Sequence, residues 1–130
     1  RVSWSNLRRV SCTNAFIPAP RAMAYYRSKA ALEHMARTAD IEVAEYRVRI
    51  NIIQPGWTDT PGERKFASEE TLQTAGAKIP LGRLGTAEEV ARSILFLTDP
   101  ANDYMTGACL LVDGGISLPW WANRGSAAPA

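Results

Sequence analysis

A tyrosine at position 25 stands four residues ahead of a lysine at position 29 in the stretch AYYRSKAAL, residues 24–32. Residues four apart share one face of a helix, so the Lys29 ammonium can approach Tyr25. Tyr26 has only Ala30 at the same offset. A phenol titrates near ~10 and is a poor proton acceptor around neutrality. A nearby cation favours the phenolate, and lowering the pKa by about three units corresponds to roughly 4 kcal/mol. The spacing therefore makes Tyr25, and not Tyr26, the phenol that Lys29 can reach; by itself it is equally that of an ordinary Tyr/Lys pair on a helix flank. Cys12 is the other reactive side chain upstream, but it has no histidine near it in sequence. The single histidine, His34, falls on the same helix as Tyr25. Without a base or a strong local cation, Cys12 makes a poor nucleophile.

The elements that must hold these groups follow from patterning. RRVSCT, 8–13, is short and partly β-branched, and the two prolines of NAFIPAP behind it forbid continuation, so it predicts a strand running into a loop. From Met23 the apolar residues Leu32, Met35, Ala36, Ala39 and Val43 recur with helical spacing, predicting a long helix over 23–46. VRINIIQPG, 48–56, predicts a buried strand stopped by Pro55-Gly56. SEETLQTAGAK, 68–78, predicts a short helix, and the rest of 57–85 reads as loop. Thr86 and Glu89 form a capping box at the head of a helix in the stretch 86–100, with Pro100 following its end. ACLLVDGG, 108–115, is a compact strand with a glycine pair behind it, and the tail beyond Trp121 is rich in Ala, Ser, Pro and Gly. Strands alternating with helices predict an α/β fold: a parallel sheet of about three strands with flanking helices.

The bulk numbers exclude several classes. The 130 residues make one domain with a modest core, and 46% hydrophobic content is that of a globular protein. A net charge of +2 without a dense basic cluster gives no footprint for nucleic acid. No apolar run approaches the ~18 residues of a membrane span. Cys12 and Cys109 form neither a metal-ligand spacing nor a disulfide framework, so a cytoplasmic setting is expected and no metal is. RVSWSNLRRV has no apolar leader and no initiating Met, which predicts that the natural chain begins elsewhere.

In order and spacing, these segments resemble the short-chain dehydrogenases/reductases from about residue 8 to 121. The family's Tyr-x-x-x-Lys motif falls on Tyr25 and Lys29, its Pro-Gly segment on PGWTDT (55–60), and its carboxyl-terminal third on residues 80–115. The ending DGGISLPW looks most like sugar dehydrogenases of the glucose 1-dehydrogenase type. The resemblance implies NAD or NADP as cofactor and a small-molecule secondary alcohol or carbonyl as substrate. Tyr25 would exchange a proton with the substrate oxygen while hydride passes to or from the nicotinamide. It also places Pro55, Gly56, the backbone of Thr58 and the hydroxyl of Thr60 beside the nicotinamide. Thirteen residues before its tyrosine the family carries a serine that hydrogen-bonds the reacting oxygen. This chain has Cys12 there, and a thiol is a weak donor. Neighbouring Ser11 and Thr13 should face the other way along a strand.

A dinucleotide fold also needs a glycine-rich turn after its first strand, where a helix N-terminus meets the pyrophosphate. GRLG (82–85) and DGG (113–115) lack that context. The expectation is a partial Rossmann-like sheet that lacks the amino-terminal dinucleotide-binding half, with residues 1–121 forming the domain and 122–130 a tail. Alone, such a chain should bind NAD(P) poorly. The rival expectation is a catalytically inert fragment or a subunit-association module, since in this family the long helix and the last helix and strand commonly make homo-oligomer contacts. Trp120-Trp121 fits a hydrophobic clasp or such a contact.

Overall fold

The computed structural model describes residues 5–17 and 22–118. Its centre is strand β2, Val48–Pro55, buried from Arg49 through Gln54. On one side β2 pairs in parallel with β1, Ser5–Val10, in a register running from Ser5↔Val48 to Val10↔Ile53. On the other it pairs in parallel with β5, Cys109–Val112, from Ile52↔Cys109 to Pro55↔Val112. The sheet order is β1-β2-β5. Parallel neighbours need long crossovers: helix α1, Met23–Val43, joins β1 to β2, and helices α2, Glu69–Gly76, and α3, Ala87–Thr98, lie between β2 and β5. The partial Rossmann-like α/β sheet expected from the sequence is present, with helices against it.

Alternation along β2 divides its side chains between two faces. Ile50 and Ile52 pack with Ala36 of α1, flanked by Ala39, Val43 and Cys109. Ile53, from the opposite face, is fully buried, as is Leu97 of α3. The buried face of α1 is not the purely apolar stripe that periodicity predicted. Its buried residues are Glu33, Ala36 and Asp40, whereas Met35 is 69% exposed. Each buried carboxyl has a backbone or side-chain task. Asp40 Oδ1 accepts from the Ile50 N–H at 2.8 Å and from the Thr106 hydroxyl, tying the middle of β2 to the loop before β5. On the sheet's other side the Arg49 guanidinium is held by the carbonyls of Asn102 and Met105, at 2.9 and 2.7 Å.

Several boundaries differ from expectation. The first strand occupies Ser5–Val10 rather than 8–13, because the ladder with β2 opens at Ser5 and the chain turns into a 3-10 helix at Thr13–Ala15. α1 ends at Val43, and a 3-10 turn at Ala44–Tyr46 follows. Arg47 then closes it in the left-handed region at φ 58°. The segment 57–85 is not all loop outside its helix. Strand β3, Thr58–Asp59, pairs in parallel with β4, Gly85–Thr86, a two-residue ladder that fastens the turn after β2 to the head of α3. Ser68 caps α2 by accepting from the Thr71 N–H, and the capping box of α3 forms between Thr86 and Glu89 as read. Trp120, Trp121 and the tail lie outside the described residues. β1 is an edge strand with Leu7 44% and Val10 51% exposed. Among the described residues, no helix is long and apolar enough to cross a membrane.

Candidate active site

The carboxyl ends of β1 and β2 open onto a cleft of about 620 Å³ beside the first turn of α1. Cys12, Tyr25, Pro55, Gly56, Thr58 and Thr60 all line it, so three separate stretches of sequence converge there. Cys12 arrives because β1 ends at Val10 and the next residues stay extended, with Cys12 at φ −159° and ψ 152°. Tyr25 projects from the start of α1. The 55–60 segment is set by two fixings: the Gly56 N–H donates to the Val112 carbonyl at 2.9 Å, and β3 is held by β4. Gly56 has no room for a side chain, since a Cβ there would lie 2.7 Å from the Asp113 Cα.

The side chains next to Cys12 are already engaged. Ser11 and Thr13 line the cleft as well: the Ser11 hydroxyl donates to Glu33 Oε1 at 2.6 Å, and Thr13 is buried with its Oγ1 4.0 Å from the Cys12 Sγ. Lys29 does not line the cleft. Its Nζ sits 5.5 Å from the centroid of the Tyr25 ring, a cation–π placement over the ring. Tyr26 meets Tyr25 edge-on, centroids 5.9 Å apart at 68°, and stays outside the cleft wall.

The expectation of a lowered Tyr25 pKa joined the Lys29 ammonium to a cationic nicotinamide ring; the protein's own groups act the other way. The Tyr25 pKa is pushed up to about 12 rather than lowered, first by burial, then by the charge of and hydrogen bond with Cys12, then by the charges of Glu63 and Tyr26. Tyr25 therefore keeps its proton through neutrality. Periodicity placed Lys29 near Tyr25 correctly, but Cys12 and Glu63, which raise the phenol, are distant from it in sequence.

Sequence reasoning missed Glu63. Its Oε2 accepts from the Trp57 indole N–H at 3.1 Å and its N–H donates to the Thr60 Oγ1 at 3.3 Å, so it organises this wall of the cleft. No spacing rule singles it out, because it lies in a 3-10 turn, Glu63–Lys65. Thr58 uses its hydroxyl to donate to the Gly56 carbonyl at 3.2 Å. The Thr60 Oγ1 accepts from the Glu63 N–H, and among the described residues its own proton has no acceptor. A larger cavity of about 680 Å³ lies alongside, under α2, and shares Trp57 and Ile116 with the cleft, but it carries none of the predicted site residues. Among the described residues, no group of three His, Cys, Asp or Glu side chains could hold a metal ion.

The fold is a parallel Rossmann-like α/β sheet with Tyr25 and Cys12 on a cleft at the carboxyl ends of its strands. A family model described as enoyl-(acyl carrier protein) reductase matches residues 5–117. The short-chain dehydrogenase srdC of Neurospora crassa is 34% identical over 122 residues, covering 90% of this chain and 44% of that protein. The 3-oxoacyl-[acyl-carrier-protein] reductase FabG of Thermotoga maritima is 40% identical over 94 residues, 72% of this chain and 38% of the relative. Among solved structures, a 7 alpha-hydroxysteroid dehydrogenase complexed with NADH and 7-oxo glycochenodeoxycholic acid superposes with a TM-score of 0.78 at 29% identity, covering 85% of this chain and 43% of that one. An NADPH-bound short chain oxidoreductase from Pseudomonas aeruginosa, described as containing an atypical catalytic center, gives 0.77 at 32%, covering 87% and 46%. The chain belongs to the short-chain dehydrogenase/reductase family, and it spans less than half the length of these curated relatives.

Proposed function

We propose that this chain supplies the catalytic portion of an NAD(P)-dependent oxidoreductase that interconverts a secondary alcohol and its carbonyl, with Tyr25 as the acid/base. The observation that carries this reading is the convergence of Tyr25, Cys12 and the 55–60 turn on one cleft. A bound NAD(P) would supply or accept the hydride. The residues present fit its nicotinamide end. Pro55 and Gly56 fix the turn, the Thr58 backbone lies on the cleft wall, and the free Thr60 O–H can donate to a carboxamide oxygen.

Tyr25 holds its proton at neutrality, which suits it to protonate a carbonyl oxygen as the carbon receives hydride. The phenolate left behind gains from the Lys29 ammonium and recovers a proton from solvent. In the opposite direction Tyr25 must first ionise, against its burial. Cys12 occupies the place of a second donor to the substrate oxygen, with a thiol in place of a hydroxyl. A small alcohol or carbonyl compound, sugar-like by the resemblance of the ending, is the substrate class.

The test uses a chimaera in which a family amino-terminal half precedes residue 1. Tyr25→Phe lowers turnover by about 10²–10⁴, the usual worth of a positioned proton donor, while Tyr26→Phe changes it little. Equal losses in steady-state rate would refute the assignment.

A further inference from the structure

Glu33 is a buried carboxyl, 7% exposed, that the chemistry above does not use. One of its oxygens, Oε1, accepts both from the Ser11 hydroxyl at 2.6 Å and from the Gln54 amide at 2.7 Å. Ser11 immediately precedes Cys12, and Gln54 immediately precedes Pro55-Gly56. Both donors are themselves buried, at 4% and 6% exposure. A single atom on α1 therefore grips the ends of two strands at the residue before each wall of the cleft. α1 also carries Tyr25, two turns upstream, so the same helix sets both the phenol and the two walls that face it. From this geometry we infer that Glu33 is a positioning residue: through Ser11 and Gln54 it holds Cys12 against Tyr25 and fixes the approach of the 55–60 turn. The inference rests on the proposed function for its catalytic meaning, but its test does not.

Removing the acceptor leaves two buried donors without a partner, and a buried polar group in that state relaxes toward water or a new partner. The Ser11 N–H stays bonded to the Ile53 carbonyl at 2.8 Å, so the loss is expected to be felt at the next residue, Cys12. The groups that face Tyr25 are Cys12, Glu63, Tyr26 and, over the ring, Lys29. Of these, Cys12 follows Ser11 directly in the chain.

The experiment compares the full chain with its Glu33→Ala, Glu33→Gln and Ser11→Ala variants by nuclear Overhauser contacts between the Cys12 β-protons and the Tyr25 ring at neutral pH. An alkaline titration of the Tyr25 phenol accompanies it, with circular dichroism reporting the fold. Glu33→Ala and Ser11→Ala are expected to lose the contact and to bring the Tyr25 midpoint below about 12, with burial holding it above the ~10 of an open phenol. Glu33→Gln keeps an acceptor oxygen in place and should retain both signals. A folded Glu33→Ala chain with the contact and midpoint intact would overturn the inference, leaving Glu33 a stabilising residue only. Should Glu33→Ala not fold, Ser11→Ala decides the matter by the same two readings. Both readouts are independent of turnover, so a failure of the proposed activity leaves this result standing and the reverse.

Discussion

Replacing Cys12 with serine perturbs the site at one atom and has two separable consequences. Cys12 lines the cleft beside Tyr25; of its neighbours, the Ser11 hydroxyl is committed to Glu33 and the Thr13 hydroxyl lies 4.0 Å from the Cys12 Sγ. A serine hydroxyl in that place donates a far better hydrogen bond to a substrate oxygen than a thiol does. Removing one such donor from an enzyme costs about 10²–10³ in rate, so Cys12→Ser in the chimaera is expected to raise turnover by a factor approaching that range. The second consequence is on Tyr25. The charge of Cys12 and its hydrogen bond are the causes that follow burial in raising the phenol. A neutral hydroxyl removes the charge, so the Tyr25 midpoint falls below about 12 but stays above ~10, because burial remains. The linkage has a definite sign. The folded phenol holds its proton more tightly than the unfolded one, so its share of stability is complete below ~10 and disappears as pH rises through about 12. Cys12→Ser narrows that window from the alkaline side. Stopped-flow or steady-state rates at neutral pH read the first effect, and phenolate absorbance reads the second. Unchanged turnover together with an unmoved Tyr25 midpoint would mean that Cys12 does not face the reacting oxygen, and the reasoning would fail.

Further outcomes follow from other parts of the molecule. Glu89 is held down to about 2, first by Arg83 and then by the Thr86 N–H, so its contribution at the head of α3 is complete above ~4.5 and disappears as pH falls through about 2. Amide exchange over residues 87–91 should speed up in that acid range before the β2 amides do. Ile53→Ala opens a cavity beneath a fully buried side chain and should cost about 2–5 kcal/mol in urea unfolding; a loss under 1 kcal/mol would mean the sheet has little packing behind it. The chain alone should self-associate through the open edge of β1, and Leu7→Lys should shift its sedimentation toward the monomer. Identical sedimentation of the two would place the contact elsewhere.

The β2 and α3 signals were legible because each is local. Val48, Ile50, Ile52 and Ile53 announce a buried strand within one short stretch, and Thr86 with Glu89 announces a cap within four residues. α1 was legible as a helix but not as a surface. Glu33 and Asp40, seven apart, lie on the buried side with Ala36, and a pattern of apolar residues passes over them because their burial is repaid by partners at Ser11, Gln54, Ile50 and Thr106. The two-residue β3–β4 ladder left no signal, since nothing in TD or GT distinguishes a strand from a turn. At the site, the pairing of Tyr25 with Lys29 is a helix offset and could be read. The upward shift of Tyr25 could not, because it comes first from burial and then from Cys12 and Glu63, which only the fold brings to the phenol.

The absence of space at Gly56 reaches beyond its own turn. The backbone after β2 lies so close to Asp113 that even a methyl group would collide with it. Asp113 in turn accepts from the N–H groups of Gly115 and Ser117, and the Gly114 carbonyl accepts from the Leu81 N–H. The Pro-Gly segment and the loop after β5 are therefore not interchangeable parts. Anyone recombining relatives to change what this cleft accepts must move residues 55–60 and 113–117 as one cassette, together with the stretch around Leu81. A chimaera that splits them at the wrong junction would inherit two surfaces shaped for different neighbours.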